Sequence, residues 1–130
     1  MKFARIVFLV AGIYGLIVIA PLFFMEGVVN STTPPAITHP EYYYGFAGTA
    51  LVWQIFFIVL SRDPLRYRPM MLMAVLEKVT GIAFILLVLL HRSPPSMLIG
   101  IVDLCLGTLF LISYIRTAPS RVQQAAVAQS

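Results

Sequence analysis

Glu77 and Lys78 stand side by side inside Pro69–Leu90, a run that is otherwise almost wholly apolar and carries no strong turn signal. A charged side chain at bilayer depth costs roughly 2.5–3.5 kcal/mol on insertion scales, so such groups turn toward a protein interior and a partner. Other apolar runs offer candidates in Tyr14, Gln54 and Asp103. Two carboxylates, an ammonium, an amide and a phenol are what a site for protons or for a polar head group needs. The same set serves equally well as glue between helices, each contact worth about 1 kcal/mol.

Depth along each helix brings these groups together. With span centres near Tyr14, Trp53, Thr80 and Leu106 and a rise of about 1.5 Å per residue, Gln54 and Lys78 fall within a few Å of the midplane. Glu77 lies roughly 4–5 Å to one side and Asp103 about as far to the other. Lys78 is about 13 Å from Pro69 and some 20 Å from His91, more than a lysine stem spans to reach water. An internal partner is therefore expected. Because Glu77 and Lys78 diverge by about 100° around a helix, each is expected to meet a different neighbour. Lys78 is assigned to Asp103, and Glu77 to Gln54 or Tyr14.

Four spans must position this cluster, at about 3–24, 44–61, 69–90 and 95–115, all within a single domain over 1–116. The 130 residues are 60% hydrophobic and 11% charged, with a mean hydropathy of +0.93. Soluble chains are about 25% charged, so this one reads as all-α, an integral membrane four-helix bundle. Lys2 and Arg5 ahead of an apolar run are also how a secretory signal begins. Here the run is about 20 residues long and Pro21 follows the nearest small-residue site, so a retained first span is expected. Gly12 and Gly15 share a face of that span, and Gly100, Asp103 and Gly107 share one on the fourth.

The connections read as follows. Glu26–Tyr44, dense in Pro and small polar residues, is the longest loop, and Asn30-Ser31-Thr32 within it fits a glycosylation sequon that is common by chance. Tyr42, Tyr43 and Tyr44 suit an aromatic belt at the headgroups. His39 and Glu41 beside them are candidates for an external ligand, although one histidine and one carboxylate are too few to argue a metal. Asp63 before Pro64 suits an N-cap in a short basic turn whose arginines lie on anionic headgroups. Ser93 and Pro94 suit the cap and first turn of the fourth helix, and 117–130 reads as a polar cytoplasmic tail.

Charge placement orients the whole. Lys2, Arg5, Arg62, Arg66, Arg68, Arg116 and Arg121 fall on one side of the spans and Arg92 alone on the other. The positive-inside rule then puts both termini in the cytoplasm and the Pro-rich loop outside. The basic residues form no continuous face, so the high pI does not indicate nucleic acid. Cys105, the one cysteine, excludes an intrachain disulfide and reads as a small buried or lipid-facing side chain. No cofactor or metal is implied.

Pro35-Ala-Ile-Thr-His-Pro-Glu-Tyr-Tyr-Tyr-Gly-Phe46, Trp53-Gln54, Arg62-Asp-Pro-Leu-Arg-Tyr-Arg-Pro69 with Glu77-Lys78, and Asp103 prompt a comparison. The chain resembles the small four-helix bacterial membrane proteins loosely described as DoxX-like. That resemblance implies a multi-pass protein of the bacterial inner membrane and carries over no catalytic residue. The functional expectation is a non-enzymatic membrane component, an accessory subunit or a binder of an apolar small molecule, in contact with the bilayer and with other membrane subunits or its own copies. Two alternatives stay open: an enzyme acting on a lipid or quinone-like substrate with Glu77 or Asp103 moving the proton, and proton or small-solute transport by an oligomer.

Overall fold

A computed structural model describes residues 1–92 and 97–118. The expected cap at Ser93-Pro94, the start of the fourth span at 95–96, Arg121 and the tail from residue 119 onward lie outside the described residues. Those described are helical or irregular, with no strand. The helices are α1 (Lys2–Ile19), α2 (Glu26–Thr32), α3 (Pro40–Arg62), α4 (Met70–Val79), α5 (Gly81–Leu89) and α6 (Met97–Arg116). Four stretches, Lys2–Phe24, Pro40–Arg62, Met70–Leu89 and Met97–Arg116, are long and apolar enough to cross a membrane.

Three boundaries differ from the sequence reading. The first long stretch tightens into a 3-10 segment at Ala20–Phe24, because Pro21 has no N–H for the helical ladder. The second begins at Pro40 and not at Tyr44: proline suits the first turn of a helix and Glu41 there complements its dipole. The Pro-rich connection is not all loop, since Glu26–Thr32 forms the short helix α2. Two tyrosines and an asparagine fasten this segment. The Tyr43 hydroxyl donates to Leu22 O at 2.7 Å, that of Tyr44 to Glu26 at 2.8 Å, and Asn30 Oδ1 accepts from Ile37 N at 2.6 Å.

The third span is also broken, where the sequence predicts one continuous helix. The Glu77 carbonyl accepts from both the Thr80 N–H, at 3.2 Å, and the Thr80 hydroxyl, at 2.6 Å, while the Ala83 N–H bonds back to Thr80 O at 2.9 Å. These three-residue bonds tighten the chain into a 3-10-like turn between α4 and α5. Apolar runs continue on both sides of Glu77–Gly81, so hydrophobic pattern alone does not place a break there.

The long helices run alternately up and down. α1 lies along α3, α6 lies along α4 and α5, and α1 against α6 joins the two pairs, whereas α3 meets α4 only slightly. The core is confined to the end that holds the N-terminus, the turn before α4 and the end of α6. Phe8 stacks on Phe110 with centroids 4.4 Å apart, and Phe57 meets Phe110 edge-on at 4.9 Å, with Leu60, Met71 and Ala74 buried around them. Asp63 Oδ1 accepts from Arg66 N at 3.2 Å in the turn nearby. Arg68 lies over the Tyr114 ring at 3.9 Å, where its flat guanidinium stacks on an aromatic face. Thr117, placed by sequence in the tail, is buried against Met71. Toward the opposite end, the buried residues among those described are small: Gly15, Ala47, Gly81 and Gly100.

Candidate functional site

Glycines decide where the helices touch, and hence where the polar groups sit. A Cβ built on Gly100 would stand 2.7 Å from Gly81 O, and one on Gly81 would stand 2.7 Å from the Asp103 Cβ. The α5 and α6 backbones therefore meet here as only glycine allows. Two turns further along α6, a Cβ on Gly107 would stand 3.0 Å from the Lys78 Cβ. The small-residue face of α6 thus seats the lysine stem and presents Asp103 to its head. On the other pair, a Cβ on Gly12 would lie 2.8 Å from Gln54 O, and one on Gly15 would run into the Gln54 side chain.

Lys78, 5% exposed, places its ammonium 2.9 Å from Asp103 Oδ1 and 3.1 Å from Glu77 Oε2, with the Phe57 ring centroid 5.3 Å away. Glu77 therefore pairs with its own sequence neighbour and not with Gln54 or Tyr14. The 100° divergence holds at the helix surface, but a four-carbon stem carries the ammonium far enough to swing back beside the adjacent carboxylate. The hydrogen bond of that pair runs to Oε1 at 3.4 Å. Oε2 is closer but poorly aligned, and it is a buried oxygen with no hydrogen-bond partner among the described residues. Gln54, 4% exposed, satisfies its N–H on its own helix by donating to Ala50 O at 2.9 Å. Tyr14 is 46% exposed, and its hydroxyl makes no hydrogen bond among the described residues.

All five of these residues line one cavity of about 290 Å³. Val18, Phe46, Phe84 and Ile99 supply apolar wall, and Thr80 lies beside the break. The cavity exists because α3 barely meets α4 while α5 leans onto α6, leaving a gap between the two pairs beyond the aromatic core. Irregular backbone at membrane depth is tolerated where it lines such a cavity. The apolar walls were not legible in the sequence, where dozens of similar residues carry no mark of which face they occupy.

His39 and Glu41 form a separate, exposed pair, Nδ1 to Oε1 3.1 Å, at the entry to α3. No group of three or more metal-ligating side chains occurs among the described residues. Comparison with protein-family models, with curated proteins and with solved structures finds no match to this chain.

Proposed function

We propose that this is a multi-pass protein of the bacterial inner membrane, with both termini cytoplasmic, whose cavity binds an apolar small molecule bearing a polar head. It acts as a binder or accessory subunit and not as a catalyst. The DoxX-like resemblance belongs to the same proposal. One observation carries the reading: the charged groups Glu77, Lys78 and Asp103 border open space of about 290 Å³ and not a closed seam. Ligand pockets begin near 300 Å³ and pair mostly apolar walls with a few convergent polar groups. Charges retained only to hold helices together gain nothing from a void, since an unfilled gap forfeits dispersion contacts along its whole lining.

Thermal unfolding of the detergent-purified protein tests this with two probes, ubiquinone-1 and 1-adamantanol. Either is expected to raise the midpoint of the wild type. Ala50→Phe, which fills the cavity from the α3 wall, should abolish the rise. Equal shifts in both proteins, or none in either, would refute the reading.

A further inference from the structure

The charged cluster has an imbalance that specifies the head group, given the binding cavity proposed above, on which this inference rests. One ammonium, Lys78, faces two carboxylates, Glu77 and Asp103, and no other charged residue lines the cavity. In an apolar slab a net charge is strongly disfavoured and is relieved by a counter-charge or by a proton on one carboxylate. Acceptors are also in excess. Glu77 Oε2, buried, keeps a 3.1 Å ionic contact to Lys78 but no aligned hydrogen bond, and the Gln54 carbonyl oxygen beside Gly15 accepts none among the described residues. An anionic head would meet two like charges. A neutral head would leave the surplus in place. A protonated amine supplies both the missing positive charge and the missing donors, while Phe46 and Phe84 in the lining supply aromatic wall to an apolar body.

We propose that the cavity takes a monocationic amphiphile: one protonated amine directed at Glu77, with a compact apolar body along α3 and α5. The test holds the body constant and varies the head, using 1-adamantylamine, 1-adamantanol and 1-adamantanecarboxylate at neutral pH. Apparent affinities come from the concentration dependence of the thermal midpoint. The amine is expected to bind wild type about tenfold or more tighter than the alcohol, and the carboxylate not at all. Glu77→Gln balances the cluster and should remove the amine's advantage over the alcohol in the same variant.

Equal affinity for amine and alcohol in wild type would mean that a proton on the cluster already neutralises the surplus, and would overturn the proposal. Preference for the carboxylate would do the same. Binding of the alcohol without the amine removes this inference and leaves the cavity reading standing. Failure of all three removes this inference, and failure of ubiquinone-1 as well removes both. The wild-type series alone decides the matter should Glu77→Gln not fold.

Discussion

Lys78 has two acids within reach, and the consequences of removing each member of the cluster are unequal. Without Glu77 or without Asp103, one ammonium still faces one carboxylate. Without Lys78, two like charges are left in an apolar layer with no cation among the residues lining the cavity. Lys78→Met is therefore expected to cost about 3–5 kcal/mol and Glu77→Gln less than about 1 kcal/mol. Asp103→Asn should fall between, because its 2.9 Å contact is the shorter and it sits on a different helix from Lys78. Chemical denaturation in mixed micelles checks the order, and Glu77→Gln proving the costliest would contradict it. What could be read ahead of the structure at this scale was identity and depth: Tyr14, Gln54, Glu77, Lys78 and Asp103 at one level. The partner of Glu77 could not, because it depends on the torsions of a flexible lysine stem and not on where its Cα lies.

The helices approach one another through glycine, and the glycines are not equivalent. Gly100 abuts the Gly81 backbone, whereas a Cβ on Gly48 would meet nothing within 4 Å. Gly100→Ala is thus expected to push α5 from α6 and cost about 1–3 kcal/mol, as overpacking does. Gly48→Ala should leave stability unchanged or raise it by up to about 1 kcal/mol, since alanine is the better helix former. Paired unfolding measurements on the two variants distinguish them, and equal losses would count against the packing described here. The sequence groups Gly100 with Asp103 and Gly107 on one face, but which helix meets that face, and that Gly48 meets none, is not written in either run. The break at Thr80 is equally hidden, because it arises from one hydroxyl competing for the Glu77 carbonyl where Gly81 seats against α6.

At the scale of the whole molecule the two ends differ. One is closed by Phe8, Phe57 and Phe110, and beyond the cavity's polar groups the other buries only small residues among those described. If the arginine-rich turn before α4 is cytoplasmic, as charge placement predicts, the cavity lies toward the outer half of the bilayer. Single cysteines at Thr33 and Arg66, in a Cys105→Ser background, test that orientation in intact cells. A membrane-impermeant maleimide is expected to label Thr33→Cys directly and Arg66→Cys only after permeabilisation. The reverse pattern would invert the assigned topology and move the cavity to the cytoplasmic half.

Composition and spacing by themselves determined that this chain forms long apolar helices, four of them among the described residues, and that their polar groups fall at one level along the bundle. These properties follow from hydrophobicity and the fixed rise of a helix, both local to each segment. Which helices lie together, where the third breaks, and that a cavity opens between the pairs were decided only in the folded molecule. They depend on how closely backbones approach at Gly12, Gly81 and Gly100, and that is a property of two surfaces meeting, which neither segment encodes alone.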